Sequence, residues 1–365
     1  MIMFLAWREM KHAKLRYLLI GFIMVLIAFM VLFVSGLAQG LASDNAASIQ
    51  KMNTDYLVLQ KDSSDRLNRS ALTEEQVNLI KKEAGSDKAE ALGVLMTSIS
   101  KGSSAKKTDA VFFAVSPEGD LVPKAAEGKS LTETSGREVV ADLSLQNEGI
   151  KLGDKIKDQV SGTTFTVAGF TKDESFSHAP VIHMNMENWT SIQKSGEAVY
   201  SAVALSADED RAKAIAKPVK ETEVVSKEAA LKGIPGYKEE QGSLTMMIVF
   251  LFIIAAFVLA VFFYVMTIQK MNQFGVLKAI GAKTGYLAKN ILAQIILLTI
   301  ISLAVSIALT FGIAALLPSG MPFMISTKLI VGSSILFLLV SIAGSLLSLY
   351  KVAKIDALDA IGRAA

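Results

Sequence analysis

The sequence predicts an α-helical membrane protein with four transmembrane helices and a large α+β extracellular domain between helices 1 and 2. Three observations carry that expectation. Residues 17–43, 241–269, 290–327 and 329–350 contain no Asp, Glu, Lys or Arg, and roughly 20 apolar residues in helix cross a bilayer core of about 30 Å. Hydrophobic residues make up 52% of the chain and charged ones only 19%, less charge than a soluble surface of this size usually carries. Between the first two windows lies a segment of ordinary polar composition that holds 31 of the 34 acids.

The elements follow in order. Residues 1–16 predict a cytoplasmic interfacial helix: at about 100° per residue, Ile2, Met3, Ala6, Trp7, Met10 and Ala13 share a face opposite Arg8, Lys11 and His12. Transmembrane helix 1 occupies 17–42. A cleavable signal sequence has an apolar region of only about 7–15 residues, so this one reads as an uncleaved anchor. Helix 2 is placed at 243–268 and helix 3 at 287–317. The two prolines and the glycine of "LLPSGMPFM" (316–324) end a helix and turn the chain over 318–328. Helix 4 follows at 329–350, then a cytoplasmic tail at 351–365. On helix 1, Ser35, Gly36 and Gly40 form a small-residue face suited to close helix contact, a seam for a second copy of the chain.

Lys and Arg gather on the cytoplasmic side of membrane proteins. The N-terminal segment (Arg8, Lys11, Lys14, Arg16), the segment between helices 2 and 3 (Lys270, Lys278, Lys283, Lys289) and the tail (Lys351, Lys354, Arg363) carry eleven basic residues against Glu9, Asp356 and Asp359. Segment 42–242 carries 25 basic and 31 acidic residues. Both termini are therefore expected in the cytoplasm and the large segment outside. The overall charge of +3 hides this split and gives no reason to expect nucleic-acid binding.

Residues 43–242 read as a folded α+β domain. In "LTEEQV" (72–77), Thr73 is an N-cap, Gln76 its capping-box partner, and Leu72 with Val77 a hydrophobic staple. Gly85 closes the resulting helix of 74–84. Strand-like runs surround it at 55–60, 91–96, 110–115, 138–143, 164–170, 180–184 and 199–205, with turns between them such as "SPEGD" (116–120).

Familiar catalytic patterns are missing. There is no G-x-x-x-x-G-K-[ST], no G-x-S-x-G and no H-E-x-x-H, and the chain has no cysteine. His178 and His183 in "SHAPVIHM" are separated by Pro180 and cannot form a helical metal pair; they read as surface or strand residues. The predicted span interiors hold no acid, lysine, arginine or histidine, which argues against a pump driven by its own proton or ion relay. The energy for any transport then comes from a partner.

The segment 269–286, "QKMNQFGVLKAIGAKTGY", is short, cationic and tethered to a span at each end. Phe274, Leu277 and Ile280 recur at helical spacing, with Gly275, Gly281 and Gly285 interleaved. That shape suits a docking helix whose apolar knob enters a groove on a soluble partner.

This segment resembles the cytoplasmic coupling helix of ABC-transporter permeases of the FtsX/MacB type, whose hallmark reads E-I-G-x-L-K-A-I-G-A. Gly275, Leu277, Lys278, Ala279, Ile280, Gly281 and Ala282 match it, while Gln273 stands where many members carry an acid. "DALDAIG" (356–362) is similar to the family's closing P-x-E-A-L-R, departing at Ala357 and Asp359. "LGDKI" with "TFTVAGF" resembles part of its small outer domain, and the order of helices and domain matches over the whole chain. The resemblance implies a non-catalytic permease with Phe274 and Gly275 through Ala282 in the coupling helix. Its partners would be two copies of a separate ATPase that binds the ATP, a second copy of this chain, and membrane lipid.

Within the family, "MVLFVSGLAQGL" (30–41), "MMIVFLF" (246–252), "FFYVMTIQK" (262–270), "GVLKAIG" (275–281) and "MPF" (321–323) are similar to haem-efflux permeases of Gram-positive bacteria. That implies haem as substrate, with no cofactor bound permanently. Haem iron takes His, Met or Tyr as axial ligands. The candidates expected near the outer membrane face are Met30, Phe33, Gln39 and Asn45 on the first helix, Tyr237, Met246 and Met247 at the start of the second, and His178 in the domain. Rival readings are an exporter of peptides or lipids, a signalling subunit that activates an extracellular partner, and a membrane-anchored enzyme.

The charge split makes a direct prediction. In this cysteine-free chain, a cysteine introduced at Ser116 reacts with an impermeant maleimide in intact cells, and one at Lys283 does not. The reverse labelling pattern would overturn the orientation.

Overall fold

The protein is described here from a computed structural model, which covers residues 14–85, 88–102, 104–193, 199–318 and 321–353. Most of the interfacial helix expected at 1–16 and most of the tail lie outside the described residues. In chain order the elements are α1 (Lys14–Lys51), β1 (Tyr56–Gln60), β2 (Leu72–Thr73), α2 (Glu74–Ala84), β3 (Ala89–Lys101), β4 (Lys107–Ala114), β5 (Ala125–Gly128), β6 (Glu138–Asp142), β7 (Lys155–Asp158), β8 (Thr164–Thr171), β9 (Ser175–Phe176) and β10 (Ala179–Met184). Then come α3 (Met186–Ile192), β11 (Val199–Tyr200), β12 (Ala202–Leu205), α4 (Glu209–Ala216), β13 (Thr222–Ser226), α5 (Lys227–Gly233), α6 (Tyr237–Gln269), α7 (Met271–Ala279), α8 (Thr284–Ala314) and α9 (Thr327–Ala353). They form two units, Met1–Gly40 with Gly242–Ala365, and Leu41–Gln241.

Among the described residues, four helices are long and apolar enough to cross a membrane: Lys14–Lys51, Tyr237–Gln269, Thr284–Ala314 and Thr327–Leu346. Their bounds differ from those read off the apolar windows. The first helix does not stop at residue 42 but runs to Lys51, and the second starts at Tyr237 rather than 243. Hydropathy marks where lipid-compatible sequence ends, whereas a helix continues until a breaker or cap ends it; residues 42–51 contain neither Gly nor Pro.

In the helical unit, Ile20, Met24 and Ala28 on α1 pack with Ala255, Leu259 and Phe263 on α6 and with Leu287, Ile291, Ile295 and Leu298 on α8. These positions recur every three or four residues, the spacing of one helix face. The same face of α8 carries polar side chains, and Ser306 Oγ donates to the carbonyls of Val25, at 2.9 Å, and Ser302, at 2.7 Å. Outward positions such as Phe22, Phe250, Phe257 and Leu339 are exposed and apolar, which is tolerable in lipid and costly in water.

The small-residue face of α1 does not stand open for a second copy. A methyl group on Gly36 would fall 2.7 Å from the ring of Phe323, and one on Gly40 would meet the Pro322 carbonyl. The Met324 amide donates to the Gly36 carbonyl at 3.1 Å, so the chain's own "MPF" turn fills this face. Glycine spacing reveals that something approaches closely, not what approaches.

The α+β domain is built on an eleven-stranded sheet in the order β13-β1-β12-β3-β4-β10-β6-β8-β5, with β7 and β9 paired off that path. Pairings are antiparallel except β10 with β4 and β6 with β8. Alternation buries both faces. Val58, Ala89, Ala91, Val203 and Leu205 lie under α2 and α4, while Leu57, Leu59, Leu92, Val94, Ala202 and Ala204 point to the opposite core. The expected capping box of α2 is present: Gln76 N donates to Thr73 Oγ1 at 3.3 Å and Thr73 N donates to Gln76 Oε1 at 3.0 Å. Gly85, at φ +88°, ends that helix. The expected strands appear, and 199–205 divides into β11 and β12. The sequence reading missed α3, α4 and α5 and the strands β2, β5, β7, β9 and β13, elements too short to show a clear period.

Candidate functional site

The segment joining α6 to α8 is organised by two breaks. The first is Lys270, at φ −99° and ψ 0°, where α6 ends and α7 begins. The second is Gly281, at φ +100°. There the Ala282 amide donates to the Leu277 carbonyl at 2.9 Å and the Gly281 amide to that of Lys278 at 3.0 Å. This paired closure needs a left-handed residue at its turn, which glycine adopts without strain.

Of the residues expected to form the docking knob, the structure withdraws some and adds one. Phe274 is 2% exposed and packs with Tyr17, Phe263, Met266 and Leu287. Gly275 is buried, and Leu277, Lys278 and Ala282 are half-buried. Leu277 packs against the same cluster. The outward apolar pair is instead Val276, 52% exposed, and Ile280, 76% exposed, with Ala279 and Gly281 also exposed. The reading that joined Phe274, Leu277 and Ile280 on one face is corrected accordingly. Val276 and Ile280 are four apart, a pairing visible in the sequence, but only the fold decides which stripe meets the bundle.

Lys270, one of the basic residues between the second and third spans, lies inside the bundle. It is 6% exposed, and its Nζ donates to Tyr17 Oη and to Gln294 Oε1, both at 2.8 Å. Tyr17 Oη in turn donates to Gln294 Oε1 at 2.7 Å, and the ammonium stands 5.4 Å from the centre of the Tyr17 ring. Tyr17 and Gln294 are 4% and 1% exposed.

The haem candidates divide between the two units. In the helical unit, Met30, Met246 and Met247 are exposed on their helices. Phe33 stacks on Phe323, ring centres 5.2 Å apart, and Gln39 Oε1 accepts from Ser326 Oγ at 3.0 Å, so both serve the turn after α8. In the α+β domain, Asn45 is fully buried and its Nδ2 donates to Glu240 Oε2 at 2.9 Å. That oxygen lies 3.5 Å from His178 Nε2, and His178 Nδ1 lies 2.8 Å from Asp44 Oδ2. Asp44 and Glu240 were missed, although they are the first acid after the first apolar window and the last before the second. Tyr237 is half-buried and packs against Ile49, Met52, Ala230 and Ile234. Among the described residues no group of three or more His, Cys, Asp or Glu is placed to hold a metal ion.

His183, on β10, is 3% exposed. It borders a cavity of about 540 Å³ in the α+β domain together with Glu174, Ser48 and Lys51. Its Nε2 stands 3.6 Å from Glu174 Oε2. Burial pushes the Glu174 carboxyl up, but His183, Ser48 and Lys51 together hold it below the ordinary value of 4.5.

Four apolar spans, an α+β domain between the first two and a short helix slung between the second and third describe a membrane permease subunit. The chain belongs to the FtsX/MacB-type family of ABC transporter permeases: residues 18–221 match the MacB-like periplasmic core domain, and residues 245–357 the FtsX-like permease C-terminal region. It is 34% identical over 358 residues to a Staphylococcus haemolyticus protein named for a hemin transport system permease, HrtB, covering 98% of this chain and 99% of that one. The protein of that name in Staphylococcus epidermidis is 33% identical over the same shares. An uncharacterized ABC transporter permease of Mycobacterium tuberculosis is 22% identical over 99% of each chain. The solved periplasmic region of MacB from Actinobacillus actinomycetemcomitans aligns with 50% of this chain and 94% of its own, at 15% identity and a TM-score of 0.38.

The geometry separates anchor from surface on α7. Phe274→Ala destabilises the protein by about 3–5 kcal/mol, the usual cost of emptying a buried aromatic site, and lowers the melting temperature in detergent. Ile280→Ala stays within about 0.5 kcal/mol, as exposed substitutions do. Equal losses from the two would overturn this assignment of faces.

Proposed function

We propose that this permease exports haem from the membrane, driven by a separate ATPase that docks on α7. The observation that carries the docking is the outward Val276–Ile280 pair on a short helix whose other face is held in the bundle by Phe274. An exposed apolar knob at a fixed height is what a groove on a soluble partner requires. The charge split supports a reading in which this helix and both termini lie in the cytoplasm and the α+β domain outside. On this reading the chain itself is non-catalytic, and two copies pair with two ATPase subunits. ATP-driven closure of those subunits would push on α7 and tilt α6 and α1.

The substrate rests on the whole-length similarity to hemin transport permeases. The physical chemistry is compatible with it. Haem is flat and amphipathic and partitions into bilayers, so its site can face lipid and needs no aqueous pore. Met246 and Met247 are exposed at the start of the apolar part of α6, and a thioether is an accepted haem ligand. Their alternative role, as lipid-facing apolar side chains, is separated by spectroscopy.

Two experiments test the reading. Val276→Asp combined with Ile280→Asp abolishes co-purification of the ATPase while the permease itself still folds, because an unpaired charge in an apolar groove costs several kcal/mol. Normal assembly by the double variant would make α7 a mere connector. Haemin titrated into the purified complex gives a saturable, shifted Soret band, which weakens in Met246→Leu with Met247→Leu, a swap that preserves apolar volume. A broad, unsaturable band, together with sensitivity of a deletion strain to antimicrobial peptides but not to haemin, would move the chain to a peptide-exporter role.

A further inference from the structure

Resting on that reading of the chain as an ATPase-driven exporter, we propose that Lys270 is the positioning residue that locks α7 to α1 and α8, so that a push on α7 moves all three as one body. The observation is the closed triangle of hydrogen bonds among Lys270, Tyr17 and Gln294, with sides of 2.8, 2.8 and 2.7 Å. Each corner belongs to a different part of the bundle: Tyr17 to α1, Gln294 to α8, and Lys270 to the junction of α6 with α7.

An ammonium in an apolar bundle is costly unless hydrogen bonds compensate for its lost water. Space-filling alone would be served at less cost by an apolar side chain. A lysine adds direction, since its donors hold the hydroxyl and the amide oxygen at set positions, and hydrogen bonds to a charged group are the stronger ones. The lysine also sits at the base of the lever. Its carbonyl accepts from the Phe274 amide at 3.0 Å, so the first turn of α7 is bound to Lys270 by backbone while the side chain grips the two neighbouring helices. Phe274, one turn on, enters the same apolar cluster as Tyr17 and Leu287. Force applied at Val276 and Ile280 therefore reaches α1 and α8 through Lys270 and Phe274. Phe274 can slide within an apolar cluster; Lys270 cannot move without breaking directional bonds.

The test uses the full-length permease with its ATPase in lipid vesicles, measuring haemin export and ATP hydrolysis on the same sample. Tyr17→Phe removes one hydroxyl and keeps the ring, so the complex assembles and hydrolyses ATP. Haemin exported per ATP is expected to fall about tenfold, the effect of losing a hydrogen bond to a charged group. Lys270→Met is expected to lose at least as much. An unchanged ratio in Tyr17→Phe overturns the proposal. A parallel fall in export and hydrolysis that keeps the ratio also overturns it, because that is what simple destabilisation produces. Wild-type vesicles that hydrolyse ATP yet export no haemin would sink the substrate reading instead, and a distance measurement then decides the lock. Spin labels at Gln273→Cys and Leu19→Cys, in a chain with no other cysteine, should keep one narrow separation with and without ATP in the wild type, and a broadened one with ATP in Tyr17→Phe. A wild-type separation that itself shifts with ATP shows that α1 and α7 do not move together, and overturns the proposal.

Discussion

Polar groups in an apolar bundle must find their partners inside it, because lipid offers none. The helical unit is arranged around this constraint. The buried face of α8 carries Gln294, Thr299, Ser302, Ser306 and Thr310, among them a serine that bonds across to the backbone of α1. Lys270 obeys the same rule with a full charge and finds a phenol and an amide. These contacts fix the order in which α1 and α8 lie against each other more sharply than the apolar contacts could, since hydrocarbon packing against lipid and against protein differ little in free energy.

Close backbone approach is the second device of the bundle. Gly344 on α9 lets that helix approach α6, where a methyl would meet the Ala260 amide at 3.1 Å. Gly36 and Gly40 admit the turn after α8 to the surface of α1. The α+β domain uses close approach as well: a methyl on Gly169 would meet the Lys129 carbonyl, and one on Gly233 that of Asp65. Its cores are apolar on both sheet faces, and polar side chains at Thr73, Asn185, Asp208 and Ser226 set helix starts.

The short helix α7 combines both demands. It is anchored by a buried aromatic on one side and presents aliphatic side chains on the other, and its ends are set by a lysine whose charge is satisfied inside the bundle and a glycine in a left-handed turn. The pair Val276 and Ile280 can be exposed because Phe274 and Leu277 hold the helix down.

The four spans, the inserted α+β domain, the capping box of α2 and the short helix between the second and third spans were all legible from residues alone. Each is written locally: an uncharged window, a Thr-x-x-Gln pattern, a glycine after a periodic run. The family hallmark around Gly275 to Ala282 was legible for the same reason. What only the tertiary structure decided is which partner each surface meets. It turned Phe274 inward and Val276 outward, gave the glycines of α1 to the chain's own turn, tied Phe33 and Gln39 to that turn, and set Lys270 inside the bundle. It also brought Asp44, 134 residues away in sequence, and Glu240 to His178. Helical periodicity and hydropathy describe a segment one residue at a time, whereas burial is a property of pairs distant along the chain, and no local pattern carries it.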